Sequence, residues 1–284
     1  MKTPKRLEPL IDSGLVHEVI RSLKSGKEAS VYVVRCDNEL CCAKVYKEAD
    51  QRSFRQSVLY QEGRKVRNSR RARAMEKGSR YGRQEQESAW QNAEVTALFR
   101  LAAAGVRVPR PYNFLDGVLL MEMIVDADGR PAPRLNDLVM TAEQAITFHT
   151  FLISQIVLML CDGLVHGDLS EYNVLIGSDG PVIIDLPQAV DAAGNNHARR
   201  MLERDVNNMK TYFGQFAPEL LSTNYGSEMW KLYESGELTT DIKLTGIFED
   251  DTQPADLLSV MQEIESAREE NEAKRRYLES IGAL

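Results

Sequence analysis

The feature that most constrains this chain is a polar segment, HGDLSEYN at residues 166–173, followed by an apolar run that ends at Asp185. Asp179 and the glycine after it form a typical turn sequence, so the segments on either side are predicted to pair as a hairpin. Pairing brings residues near the open ends of the two strands together. We therefore expect Asp168, Asn173 and Asp185 to lie at one site.

These three polar side chains have complementary chemistry. Asn173 and Asp185 offer the hard oxygen ligands that Mg²⁺ prefers when substrate phosphates complete its coordination. Asp168 is placed to accept a proton from a hydroxyl group. Other aspartates, such as Asp162 and Asp179, are interpreted simply as turn residues, because acidic residues are common in turns.

Strand-like and helix-like segments alternate along the chain in a simple order. Short runs rich in β-branched and aromatic residues, separated by turn signals, predict an antiparallel sheet first. A helix, another strand and a mostly helical second half follow. This order predicts an α+β fold of two lobes, and a cleft between lobes is the usual place for a ligand. The segment 16–22 is either a short strand or a helix turn. The predicted strands are 29–35, 40–46 and 117–125, with 173–176 and 182–186 in the hairpin, and the predicted helices are 85–104, 146–160 and 202–216.

We divide the chain into two lobes with charged extensions. The first lobe carries the sheet and one helix, and it includes a flexible basic loop at about residues 62–86. The second lobe carries the polar segment and its hairpin. The predicted bounds are 1–15 for an N-terminal extension, 16–125 for the β-rich N-lobe, 126–248 for the helical C-lobe and 249–284 for a charged helix or tail.

Composition excludes several classes of protein. The chain has 284 residues, a net charge of −7 and four cysteines without CxxC spacing. These values argue against general nucleic-acid binding, a disulfide framework and a zinc site. No apolar stretch reaches the ~20 residues of a membrane-spanning helix, and the first residues do not form a secretory signal. We therefore expect a cytoplasmic protein with no membrane partner.

Lys44 lies inside a strand-like run, CAKVY, where a solvated lysine is not expected. A buried lysine needs an anionic partner, and either Glu94 on the following helix or a polyphosphate would serve. An exposed lysine on an edge strand is the alternative. The turn that contains Ser25 and Lys27 could lie over phosphates through its backbone N–H groups, although such turns are common and this one is not a P-loop.

Several motifs in order resemble the RIO atypical protein kinases, most closely their first subfamily. They span about residues 16–216 and include the Trp90-to-Glu94 helix segment. The combination of HGDLSEYN with IIDLPQ is highly specific, whereas SGKEASVY alone is only moderately so. The motifs are SGKEASVY at 25–32, CAKVY at 42–46, VLLMEMI at 118–124, HGDLSEYN at 166–173 and IIDLPQAV at 183–190.

The resemblance implies a reduced protein-kinase fold that binds ATP and Mg²⁺ or Mn²⁺ between its lobes. Lys44 would hold the α- and β-phosphates and pair with Glu94, Asp168 would be the catalytic base, and Asn173 and Asp185 would bind the metal. The aspartate that matches Asp185 can also become phosphorylated in this family. The residues implied on the adenine and phosphate sides are Met121 behind adenine, Glu122 and Ile124 through their backbone, and Ser25, Lys27 and Val31 near the nucleotide.

The sequence departs from ordinary protein kinases after Asp185. It continues with Leu186, Pro187 and Gln188 rather than Phe-Gly, and no Ala-Pro-Glu follows before the predicted helix near Leu202. An activation segment and a peptide-docking platform are therefore not expected. The resemblance then implies an enzyme that acts on itself, on an assembled particle, or chiefly as an ATPase switch.

The leading hypothesis is a RIO-type non-specific serine/threonine protein kinase with ATPase activity and autophosphorylation. A small-molecule phosphotransferase of the aminoglycoside or choline kinase type is an alternative, because HGD followed by Asn occurs there too. An ATP-binding scaffold without transfer is another. Nine basic residues and one acidic residue between Arg64 and Arg83 form either a solvated loop or one that contacts RNA or a ribosomal particle.

Overall fold

The computed structural model describes residues 4–26, 29–37, 39–47 and 80–248, and in residues 80–90 it describes the backbone only. Three predictions fall wholly or largely outside the described residues: the role of Lys27, the basic segment that begins at Arg64, and the charged tail 249–284. The chain divides into a compact unit Met1–Ile247 and a second unit Phe248–Leu284. The elements and contacts of the fold belong to the first unit.

The first half of the chain forms an antiparallel five-stranded sheet in the order β1-β2-β3-β5-β4. The β4–β5 connection is a two-residue turn in which Asp116 and Gly117 both have positive φ, as a type I′ hairpin turn requires. An aspartate tolerates this conformation better than most residues, and glycine adopts it freely. The strands are β1 Glu18–Ser25, β2 Ala29–Cys36, β3 Glu39–Tyr46, β4 Pro111–Leu115 and β5 Val118–Glu122.

Both faces of this sheet are covered. A short helix α1, Glu8–Asp12, buries Leu10 in an apolar cluster with residues of β2, β3 and β5. The long helix α2, Arg80–Ala103, buries Leu98 and Leu101 in the main core. The predicted N-terminal extension is thus partly a packed element of the fold.

The second half is mostly helical, as predicted. Helix α3 begins after Thr141, whose hydroxyl accepts the Gln144 backbone N–H at 3.2 Å while the Gln144 side chain accepts the Thr141 N–H at 3.0 Å. This pair is the predicted capping box. Two small antiparallel pairs, β6 with β9 and β7 with β8, complete the half. The elements are α3 Ala142–Cys161, β6 Leu164–Val165, β7 Val174–Gly177, β8 Gly180–Ile183, β9 Val190–Asp191, α4 Ala198–Phe213 and α5 Tyr225–Ser235.

The architecture is therefore a two-lobed α+β fold with a β-rich first lobe and a helical second lobe. Some predicted bounds were wrong in detail. The segment 16–22, left open as strand or helix turn, is a strand that extends to Ser25, and the second hairpin strand ends at Ile183. Helix α5 and the separate strand β4 were not predicted. The bounds of the lobes and extensions remain predictions.

Helix α3 is long and apolar enough to cross a membrane if only length and composition are counted. In the structure half of that stretch is buried inside the protein. It carries the buried polar residues His149 and Gln155, and it packs on α4 and α5. Its apolar character is explained by its place in the core.

His149 makes the stability of this core sensitive to acid. It lies on α3 between the rings of Phe213 and Tyr225, at centroid distances of 5.7 and 5.8 Å, and its Nε2 has no hydrogen-bond partner among the described residues. Burial lowers the pKa of His149 to about 4. Between pH 6.5 and pH 4 the unfolded chain binds a proton that the folded chain does not, so stability falls as pH falls.

We expect His149 to remove about 3 kcal/mol of unfolding free energy between pH 7 and pH 4, from about 1.4 kcal/mol per pKa unit. Urea unfolding at a series of pH values measures this loss, and a His149→Gln variant provides the comparison because it cannot titrate. The same acid dependence in both proteins would contradict the assignment.

Candidate functional site

Lys44 lies at the centre of a charged cluster that joins three parts of the chain. Its strand β3 is flanked by β2 and β5, and its side chain is only 14% exposed. The Lys44 Nζ donates to Oε1 of Glu94 on α2, and it lies 3.4 Å from Oδ1 of Asp185, which follows β8. The structure thus places the lysine in a central strand, and the edge-strand alternative was wrong.

The charge of Lys44 is kept by its neighbours. Burial by itself would lower the pKa of the ammonium group, but the carboxylates of Glu94 and Asp185 outweigh that effect and raise the pKa above its usual value. Lys44 therefore remains cationic at neutral pH. A fixed cation in a cleft is suited to a negatively charged ligand.

Tyr46 supports this cluster and was missed in the sequence. Its hydroxyl donates to Oε2 of Glu94 at 2.7 Å, and its ring centroid lies 5.4 Å from the Lys44 Nζ. Tyr46 is fully buried. It lies two residues after Lys44 in the same strand and hence on the same face of the sheet, which is the signal that could have identified it.

The polar segment 166–173 is held in place by helix α4. The buried carboxylate of Asp205 accepts the backbone N–H groups of Gly167 at 2.8 Å and Leu169 at 3.0 Å. Arg204 donates to the Gly167 carbonyl, and the Asn208 amide donates to the Leu169 carbonyl at 2.9 Å. These contacts fix the backbone on both sides of Asp168.

His166 braces the same segment from inside. Its Nδ1 accepts the backbone N–H of Asp168 at 3.3 Å, so its Nε2 carries the proton and donates to the Ile184 carbonyl at 3.1 Å. Burial lowers the pKa of His166, although the Ile184 carbonyl and nearby carboxylates oppose the shift. The neutral ring therefore links the loop of Asp168 to the segment that carries Asp185.

Asp168 is set up to hold a proton more readily than an ordinary aspartate. Burial raises the pKa of its carboxyl, and the charge of Asp185 adds to this shift, while His166 and Arg204 reduce it. A raised pKa makes a carboxylate a better proton acceptor. The side chain is thus suited to general base chemistry.

Asn173 and Asp185 are brought together by the hairpin. The Asn173 carbonyl accepts the backbone N–H of Ile184 at 2.9 Å, and its side-chain Nδ2 donates to the Asp168 carbonyl at 2.8 Å. That second bond fixes which end of the amide is the nitrogen and leaves its oxygen for another partner. Asp185 has a φ of +69° and a half-exposed side chain.

The residues present fit a magnesium ion whose coordination is completed by oxygens of a bound ligand. The Asn173 amide oxygen and the Asp185 carboxylate are hard oxygen donors of the kind that Mg²⁺ binds together with phosphates. Within the described ranges no group of three or more His, Cys, Asp or Glu side chains is placed to hold a metal by itself. A metal here would therefore depend on additional oxygens from a bound molecule.

The expected adenine-side residues lie where β5 ends. Met121 is half-buried beside Cys42 of β3. The Glu122 side chain is held by a bidentate pair with Arg107 at 2.9 and 3.0 Å, and the Glu122 N–H donates to the Arg110 carbonyl. The Ile124 carbonyl accepts the Ala132 N–H. These two backbone atoms are thus already bonded within the protein.

The turn between β1 and β2 is closed by local contacts. The hydroxyls of Ser25 and Ser30 are 3.0 Å apart, and Lys47 Nζ donates to Ser25 Oγ at 3.4 Å and to the Gly26 carbonyl. Val31 pairs with Lys44 across β2 and β3. Val31 therefore borders the strand of Lys44 directly and Ser25 lies at the nearby turn, while Lys27 lies outside the described residues.

The first lobe is an antiparallel five-stranded sheet that carries a lysine–glutamate pair. The second, helical lobe presents an aspartate, an asparagine and a second aspartate. Together these features define a reduced protein-kinase-like fold. The sequence profile of the RIO domain matches residues 30–225, well over half of the chain. The chain belongs to the RIO domain family.

The chain is similar to curated kinases from several organisms. The serine/threonine-protein kinase rio1 of Schizosaccharomyces pombe is 30% identical over 232 residues, which cover 78% of this chain and 43% of that protein. The human serine/threonine-protein kinase RIO1 is 29% identical over 214 residues, which cover 75% of this chain and 36% of that protein. The RIO-type serine/threonine-protein kinase Rio1 of Haloferax volcanii is 39% identical over 125 residues, with shares of 44% and 42%. The chain spans less than half the length of these relatives.

We expect Asp205→Ala to destabilise the protein by about 3 kcal/mol, because two backbone donors would be left unpaired in a buried place. Denaturant unfolding measures the loss. Asp191→Ala is a matched control, since Asp191 also accepts two backbone N–H groups, from Ala193 and Gly194, but in an exposed turn. A loss below about 1 kcal/mol is expected there. Equal losses in the two variants would contradict the role given to Asp205.

Proposed function

We propose that this chain is an ATP-dependent serine/threonine protein kinase of the RIO type. The observation that carries the proposal is the contact of one buried lysine with carboxylates from both lobes, Glu94 and Asp185. The names of the matching relatives support a protein kinase rather than the small-molecule phosphotransferase of the alternative hypothesis.

Lys44 would bind the α- and β-phosphates of ATP, with Glu94 and Tyr46 holding its ammonium group in position. Met121 would lie behind the adenine ring. Because the Glu122 N–H and the Ile124 carbonyl are already bonded, the adenine contacts would fall to the Glu122 carbonyl and the Ile124 N–H. Ser25 and Val31 would lie along the phosphates and sugar, and so would Lys27, which lies outside the described residues.

Phosphoryl transfer asks the protein mainly to position reactants and to neutralise charge. Asp168 would accept the proton of the attacking serine or threonine hydroxyl, while the oxygen forms its bond to the γ-phosphorus and the bond to ADP breaks. Asn173 and Asp185 would hold Mg²⁺ or Mn²⁺. When bound, this ion neutralises the phosphate oxygens and the developing charge.

An ATPase mode through an aspartyl phosphate is a second part of the proposal. Its support is the half-exposed Asp185 carboxylate beside the Lys44 ammonium group. One Asp185 oxygen would attack the γ-phosphorus, ADP would leave, and water would later hydrolyse the acyl phosphate. The chain would then act as a switch that changes state with ATP turnover. Contact with RNA or a ribosomal particle through the basic segment at Arg64–Arg83 remains a prediction.

We expect Asp168→Asn and Asp185→Ala to abolish transfer from γ-labelled ATP in the presence of Mg²⁺ or Mn²⁺, because one removes the base and the other a metal ligand. ADP release and label on protein are followed together. Acid-stable label indicates serine or threonine, and hydroxylamine-sensitive label indicates an aspartyl phosphate.

Asp179→Ala is the matched control for this experiment. Asp179 lies in the turn of the same hairpin, is exposed, and contacts only the neighbouring Ser178 among the hydrogen bonds described. Its replacement should leave both readouts unchanged. Unchanged ATP turnover in Asp185→Ala would overturn the assignment.

We expect Tyr46→Phe to lower kcat/KM for ATP by about tenfold, since loss of one hydrogen bond to a charged group corresponds to about 1.4 kcal/mol. Tyr46 acts through Glu94, so the pairing of Lys44 should weaken while the fold remains. Steady-state kinetics and thermal unfolding are measured on the same samples. Tyr32→Phe, on the neighbouring strand β2, is the control, and an equal kinetic effect there would contradict the role.

A further inference from the structure

A pocket of about 430 Å³ lies between helix α4 and the start of helix α5 on the helical lobe. It is separate from the Lys44 cluster. The cationic side chains of its lining come from α4: Arg200, Arg204 and Lys210. The opposite wall is the first turn of α5, which approaches closely because Gly226 leaves no side chain against the Glu203 backbone. The volume suits one or two side chains of a binding partner.

The pocket carries a net positive charge. Three cationic side chains line it, and the acidic residue among its lining, Glu203, is paired with Arg199 at 3.0 Å on the same helix. Asn224, at the N-cap of α5, makes no side-chain cap hydrogen bond, and the positive end of the helix adds to the field. The pocket is therefore suited to an anionic group.

Arg204 connects the pocket to the predicted catalytic loop. One of its N–H groups donates to the carbonyl of Gly167, the residue before Asp168. A guanidinium has five N–H donors in a planar fork, so one arginine side chain can contact the loop and a second acceptor together. The side chain of Arg204 would therefore join a group bound in the pocket to the loop that carries the proposed base.

An exposed apolar residue lies in the segment that contacts Asn224 and Tyr225 of the pocket. The backbone N–H of Asn224 donates to the Gly246 carbonyl at 2.7 Å, and Gly246 lies against the ring of Tyr225. The next residue, Ile247, is 75% exposed. A cationic pocket beside an exposed aliphatic residue fits a peptide better than a nucleic acid, whose backbone offers a repeating row of phosphates.

We propose that this pocket binds an acidic or phosphorylated side chain of the protein substrate, and so selects serines or threonines that have such a residue nearby. The inference rests on the proposed kinase function. Arg204 lines the pocket and also bonds the residue before Asp168, so the anion and the acceptor would be separated by about the length of one arginine side chain. Because an extended peptide advances about 3.3 Å per residue, we place the anionic residue two to four positions from the acceptor. Carboxylate and phosphate share the required chemistry, and peptides that carry one or the other distinguish them.

The test uses the full chain and peptides with one serine and a single variable residue two, three or four positions before or after it. That residue is glutamate, phosphoserine or lysine. Binding is measured by fluorescence anisotropy on copies with alanine in place of the acceptor serine, and phosphorylation on the serine versions. We expect binding of the glutamate or phosphoserine peptide at least tenfold tighter than of the lysine peptide, with the better of the two identifying the anion.

The double variant Arg200→Glu, Lys210→Glu should remove this preference, raising KM for the anionic peptide about tenfold while KM for ATP and ATP turnover without peptide stay unchanged. Lys231→Glu, which makes one such charge reversal on α5 outside the pocket, should behave as the parent. Thermal unfolding confirms that each variant is folded.

The two proposals fail in different ways. Equal binding of all peptides, or a preference that survives the double variant, would overturn the pocket assignment even if other proteins are phosphorylated. Selective binding without any phosphate transfer would support the pocket and count against the kinase. Binding of a single-stranded RNA oligonucleotide that is lost in the double variant, with no peptide selectivity, would overturn the peptide assignment in favour of a nucleic acid.

Discussion

The structure depends on one buried cation. Lys44 is held by Glu94 from a helix of the first lobe and lies beside Asp185 from the second, so a single ammonium group joins the sheet, the helix and the hairpin. Burying the charge of Lys44 or Glu94 alone would cost several kcal/mol. The three parts of the chain must therefore come together before the cluster is stable, which ties formation of the cleft to folding.

The same cluster has an unbalanced charge. Lys44 offers one positive charge to two carboxylates, and Asp168 lies close enough to Asp185 for their charges to affect each other. Because of this excess negative charge, binding of a divalent cation at the cluster would be electrostatically favourable. The phosphates of ATP would arrive with that cation. The excess negative charge of the protein's own residues would thus be neutralised by the metal ion of the proposed substrate complex.

The sequence was informative where a function is carried by neighbouring residues in one motif. The hairpin turn between Asn173 and Asp185 was sufficient to predict that these two residues and Asp168 lie at one site, and the resemblance to the RIO kinases implied that Lys44 joins them. It was uninformative about Asp205, because a carboxylate that bonds backbone N–H groups 36 and 38 residues earlier leaves no local pattern. The pocket on α4 and α5 could not be predicted either, because in the sequence its basic residues look like an ordinary solvated face of a helix.

The backbone at Asp185 supports the proposal that a protein substrate is recognised away from this segment. Its left-handed conformation, at a φ of +69°, turns the chain back directly after β8, and Leu186 is buried at once. Val190 then pairs with Val165 of β6, next to His166. Residues 186–197, all of them described, reach α4 through short turns and the two-residue strand β9, which is already paired with β6. For the proposed kinase, helix α4 therefore offers a surface for substrate contacts, because it fixes the Asp168 loop and its cationic side chains line a pocket.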